Sequence, residues 1–156
     1  MQNFIKSQTR LAFIQYIFQS EFLELEKNQN IKDFQSYFYN SDISIMGAKK
    51  EFKLKFNKNF LNKLCENYSN NFKKKETVEQ LNNFIDLKRK FEKWNSVLRS
   101  LIFAIISELQ NSEQKNFKII FNDYINISKS LVTSNETKLM NAIIQKYINE
   151  KESIKS

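Results

Sequence analysis

With no proline and a single glycine, Gly47, in 156 residues, the chain has few ways to turn tightly. Two-residue hairpin loops need residues at positive φ, which glycine supplies, and loops that cradle phosphates need several glycines together. Both are almost excluded here, and long helices meet few breakers.

The apolar pattern agrees. In the stretch Trp94–Tyr147, Val97, Leu98, Leu101, Ile102, Ile105, Ile106 and Leu109 recur at intervals of three and four, which is one wide buried stripe on a helix. Phe103 and Ala104 fill the gaps, so this helix is apolar almost all round and belongs in the middle of a bundle, with neighbours on several sides. The length suffices for one domain with a proper core, spanning residues 1–156.

Taken in order, residues 3–26 form one long helix with Leu11, Ile14, Phe18, Phe22 and Leu25 inward, and Lys6 and Arg10, four apart, projecting from one side. Residues 31–39 fit a short helix, and 40–47 a polar connection. From 49 to 73 the apolar positions Phe52, Phe56, Phe60, Leu64, Tyr68 and Phe72 recur every fourth residue, and Lys73–Lys75 closes that helix with cations at its carbonyl end. Thr77 with Gln80 has the spacing of a capping box for a helix reaching Trp94. Asn95 or Ser96 caps the central helix, a loop follows at 111–116, and helices over 117–131 and 136–150 complete an all-α bundle of six to seven helices. The polar tail beyond Lys151 is expected to fray.

Several chemistries are closed to such a chain. It has no histidine and one cysteine, Cys65, which leaves no internal disulfide, no Ser-His-Asp or Cys-His arrangement and no ordinary zinc site. No cofactor is expected, and no enzyme. The longest apolar run, Leu101–Ile106, is far short of the ~20 residues that cross a bilayer. The first residues lack a secretory signal, so a cytoplasmic setting is expected, without a membrane partner. The formal net charge of +8 favours polyanions, nucleic acid above all, although a Lys-rich composition produces the same balance by itself.

The residues also resemble a known family, the NusB transcription antitermination factors. Thr9–Phe22 (TRLAFIQYIFQSEF) follows that family's order of Arg, a nearby Ala, Gln and an aromatic, with Arg10, Gln15 and Phe18 at those places. Leu98-Arg99 and Glu108-Leu109 match its helix ending in Glu-Leu. FND at Phe121–Asp123 stands where the family has Ile-Asn-Glu. INISKSL at Ile125–Leu131 and KLMNAIIQK at Lys138–Lys146 match its last two segments. The ordered set covers about half the chain. It departs in having only Lys6 and Arg10 in place of an Arg-rich N-terminal cluster, Phe103 where the family carries Arg, and Ala142 where it carries Gly.

The resemblance implies a NusB-like helical bundle that pairs with the small-subunit ribosomal protein NusE. The pair would bind boxA-type single-stranded RNA of ribosomal RNA leaders within the RNA polymerase antitermination complex. Single-stranded RNA is held by cations on its phosphates and by aromatic or polar side chains on its splayed bases. Lys6 and Arg10 supply the first, Gln15 and Phe18 the second, and Asn135 with Lys138 matches the family's other RNA-contacting region. Arg89, Lys90 and Lys93 lie in the region that would face the ribosomal partner. Each residue also has a plainer reading: Phe18 in the core, Lys6 and Arg10 on a solvated face, Asn135 as a helix cap, and Glu108 and Asn141 bonding neighbouring helix ends. A helical protein-interaction module with weakened or lost RNA binding is the alternative function that the thinned N-terminal cations allow.

Overall fold

A computed structural model describes residues 2–22, 55–84 and 90–154. Six α-helices follow in order: α1 (Asn3–Phe22), α2 (Lys58–Asn71), α3 (Lys74–Phe84), α4 (Ser96–Gln110), α5 (Phe117–Ser128) and α6 (Ser134–Ile154). Short 3-10 turns at Phe91–Lys93 and Gln114–Asn116 lead into α4 and α5. Among the described residues there are no strands, and no helix is long and apolar enough to cross a membrane.

The all-α bundle is as expected, with α4 at its centre. Ser100 through Leu109 is buried without a break, because α1, α2, α5 and α6 all pack against this helix. A helix apolar on every side satisfies its transfer free energy only when surrounded, and four neighbours provide that. α1 runs opposite to α4. Arg10 near its start meets Glu108 near the end of α4, while the Phe22 ring stacks 6.3 Å from Phe103 and lies under the Arg99 guanidinium at 4.4 Å, near the start of α4.

Phe103 is the hub of an aromatic layer. Its ring also lies 5.2 Å from Phe72 and 5.4 Å from Phe91, so α1, α2 and the 3-10 turn converge on one side chain. Each such ring pair adds about 0.5–1.5 kcal/mol beyond area burial. Where the family pattern has an Arg, this chain has a filled apolar core.

Several boundaries differ from the sequence expectation, each for a local reason. α2 starts at Lys58 rather than near residue 49. Asn57 caps it, its side chain accepting the Phe60 N–H at 2.9 Å, while the backbone N–H groups of Lys55 and Asn57 are given to Gln8 and Thr9 of α1. Lys73–Lys75 does not close α2. The helix ends at Asn71, and Lys74 opens α3, its ammonium held 2.6 Å from the Glu21 carboxylate. That ion pair sets an attraction of similar size against the unfavourable end of the helix dipole. Thr77 does not cap. It is buried in the first turn of α3 and donates its hydroxyl back to the Lys73 carbonyl at 2.8 Å.

α3 is described as far as Phe84, whose carbonyl accepts from the Lys146 ammonium of α6. Residues 85–89 of the expected helix lie outside the described residues, and at Lys90 the backbone is already extended, so the helix does not run unbroken to Trp94. Asn95 caps α4, accepting from Val97 N–H at 2.7 Å. α6 begins at Ser134 and continues to Ile154, past the expected fraying point. Its start is fixed by a reciprocal box: Glu136 N–H donates to Thr133 Oγ1 at 3.1 Å, and Thr133 N–H to Glu136 Oε1 at 3.0 Å. Asn135 is therefore an exposed first-turn residue and not the cap. The expected helix end at 23–26, the short helix at 31–39, the connection at 40–47 and the segment 49–54 lie outside the described residues.

Candidate nucleic-acid interface

The guanidinium of Arg10 is where three helices meet. Its Nε donates to Glu108 Oε1 and Oε2 at 2.9 and 3.1 Å, one terminal nitrogen to Glu108 Oε2 at 2.7 Å, and the other to Asp123 Oδ2 at 2.7 Å. The fork of donors thus closes side-on over one carboxylate and reaches a second, a geometry that lysine cannot copy. The rings of Phe60 and Tyr124 lie 5.4 and 5.7 Å from its central carbon. Tyr124 donates its hydroxyl to Glu108 Oε1 at 2.8 Å, and Ser7 donates to Asp123 Oδ1 at 2.5 Å.

The expectation that Arg10 projects outward beside Lys6 is therefore corrected. Arg10 is 6% exposed, like Glu108, and Asp123 is only half-buried. A helical wheel alone places Arg10 at the edge of the α1 stripe, and carboxylates delivered from α4 and α5 draw it inward. Burial by itself would lower the Arg10 pKa. The hydrogen bonds it donates to Glu108 and that carboxylate's charge, with Tyr124 and Asp123 behind them, hold it above the ordinary value instead. Tyr124 is pushed well above the usual phenol range, first by burial and then by the neighbouring Glu108 charge, so its proton stays in place as a donor.

The other expected contact residues divide into two groups. Gln15 is 3% exposed, and its side-chain oxygen is buried without a hydrogen-bond partner among the described residues. Phe18 is half-buried, its ring 6.5 Å from Phe22. Lys6 is half-buried near the start of α1, whereas Asn135 and Lys138 are exposed on the first turns of α6. Lys90 and Lys93, around the 3-10 turn before α4, are also exposed. Arg89 lies outside the described residues.

The two expected RNA segments are fastened to the same helix. α1 holds α5 through Ser7 and Arg10 on Asp123, and the α6 start holds α5 through Ser128 and Thr137, whose hydroxyl oxygens are 3.1 Å apart. Asp123 and Ser128 are five residues apart on α5, about 7.5 Å along its axis. Sequence spacing pointed to neither Ser7, Phe60 nor Tyr124 as members of the cluster. The matches of Arg10, Glu108-Leu109 and Phe121–Asp123 to family segments were the signals near it, and the Thr133–Glu136 box was legible as Thr-x-x-Glu.

Comparison with known proteins bears on what this arrangement serves. The NusB family model matches residues 7–149. No curated protein and no solved structure gives a significant match.

Proposed function

The chain belongs to the NusB family, and from that membership, which carries a general role in transcription antitermination and RNA binding, we propose that it is a non-enzymatic subunit binding boxA-type single-stranded RNA of ribosomal RNA leaders together with ribosomal protein NusE. In this reading it is one domain working in the cytoplasm within the RNA polymerase antitermination complex. Lys6 and Lys138 face phosphates, and Asn135 bonds a base or sugar edge. Arg10 acts as a positioning residue, and Gln15 and Phe18 brace α1 beside it. Arg89, Lys90 and Lys93 form the surface for the ribosomal partner.

The observation that carries the proposal is the attachment of both segments to α5 through Asp123 and Ser128, which gives Lys6 and Lys138 a fixed relation. A chain pinned at two such points loses less entropy on binding RNA than one whose cations hang on separate elements.

The test is filter binding of boxA-type RNA to the purified protein, with and without NusE. Affinity should fall with added salt, and Lys138→Gln should reduce it across all single-stranded sequences, since a phosphate contact carries little sequence information. Absence of any preference over a scrambled RNA in the complex with NusE would remove the RNA claim. One observation favours the second reading, a protein-interaction module with weakened RNA binding: Arg10 is withdrawn into the core, leaving α1 with fewer surface cations. Recovery of NusE without RNA binding would identify that case.

A further inference from the structure

We propose that Arg99 anchors a carboxylate of the ribosomal protein partner, its guanidinium held ready for a side-on pair by the Phe22 ring beneath it. The inference rests on the reading that the protein pairs with NusE, and it names one contact within that pairing. The guanidinium lies 4.4 Å over the Phe22 ring, and that ring stacks 6.3 Å from Phe103 in the core. A planar cation on an aromatic face that is itself packed keeps its orientation without a hydrogen bond. Arg99 is half-buried, and its Nε is shut off from water with no hydrogen-bond partner among the described residues. No described carboxylate comes within ion-pair distance of it. Arg10 spends its donors on two carboxylates, whereas Arg99 has lost water at Nε and gained nothing in exchange.

The surroundings leave that charge uncompensated. Burial lowers the Arg99 pKa, and among the described residues the carboxylate whose charge opposes this is Glu92. Glu92 is tethered elsewhere, its Oε1 accepting the Asn82 amide at 2.8 Å. Arg99 also stands in the first turn of α4, where the helix dipole disfavours a cation and favours an incoming anion. The turn that carries Glu92 also carries exposed Lys90 and Lys93, which suits an acidic protein surface. A phosphate of RNA fits the place less well. Phe22 is twelve residues from Arg10 on α1, about 18 Å along the axis from the end where the two RNA segments are fastened. A stacked, partly desolvated arginine with its fork of donors unused is the kind of residue that dominates a protein interface.

The experiment titrates the full chain calorimetrically with purified NusE and, separately, with a boxA-type RNA oligonucleotide. Arg99→Gln should weaken NusE binding about 10- to 100-fold, the range of a dominant interface arginine, and leave the affinity for RNA alone unchanged. Arg99→Lys should lose most of the same affinity although the charge is kept, because an ammonium cannot present the planar fork. Phe22→Leu removes the ring and keeps the guanidinium. It should lower the melting temperature at least as much as Arg99→Gln yet weaken NusE binding less, which a merely structural role for Arg99 would not produce. NusE binding unchanged in Arg99→Gln, or fully kept in Arg99→Lys, would overturn the anchor while leaving the pairing with NusE intact. So would a loss in Arg99→Gln that fell on RNA binding instead. A wild-type protein that does not bind NusE would remove the parent reading first.

Discussion

Replacing Arg10 by methionine keeps an unbranched stem between Phe60 and Tyr124 but removes every donor that Glu108 and Asp123 receive from α1's guanidinium. Glu108, 6% exposed, would retain only the Tyr124 hydroxyl. Removing one partner of a buried ion pair costs about 3–5 kcal/mol, because the remaining charge is left without compensation. Asp123 is more open and water can reach it, so the loss should fall near the lower end, about 3 kcal/mol. For a domain of this size each kcal/mol moves the melting temperature by about 2–4 °C, which gives a drop of about 6–12 °C. An Arg10 lying on the surface would instead give a change within about 0.5 kcal/mol. Thermal unfolding followed by circular dichroism at neutral pH separates the two. The double variant Arg10→Met/Glu108→Gln should melt above the single variant, since the orphaned charge is gone. A single variant melting within about 2 °C of wild type would refute the argument. So would a double variant that melts lower than the single.

Three further outcomes are expected. Thr133→Ala removes one half of the reciprocal box at the start of α6 and should cost about 1 kcal/mol, read as a melting drop of about 2–4 °C. Cys65 is fully buried and its thiol is pushed above the usual range by burial and by the nearby Glu66 charge, so a thiol-reactive dye should label it only as fast as the chain unfolds. Cys65, Tyr68 and Tyr124 all keep their protons longer in the folded state than their ordinary values of 9.0 and 10.0 allow in the unfolded chain. Their contribution to stability is therefore complete below about pH 9 and declines above it, as the unfolded chain begins to lose protons that the folded one retains. Urea unfolding at a series of alkaline pH values measures this.

Much of the fold was written in residue order. The absence of proline and the near absence of glycine left helices as the main option, and three-and-four spacing located α1, α4 and α5 and the body of α2. The all-round apolar character of Val97–Leu109 identified the central helix and narrowed its cap to Asn95 or Ser96, of which the structure uses Asn95. These are local properties, set by periodicity and by hydrogen bonds between residues a few positions apart.

What the sequence alone left undecided depended on partners distant along the chain. Whether Arg10 faced water or protein turned on Glu108 and Asp123, 98 and 113 positions away. Lys74 opens a helix with Glu21 brought beside its ammonium, and α2 starts at Lys58 where α1 takes the backbone donors of Lys55 and Asn57. Phe4 and Phe18 are both helical phenylalanines on paper, and only the packing of α1 decided which one stays open to solvent. Periodicity ranks positions on one helix by their angle around it. It carries no information about which charges a second helix brings to the same place, and at Arg10 that second-helix charge determined the outcome.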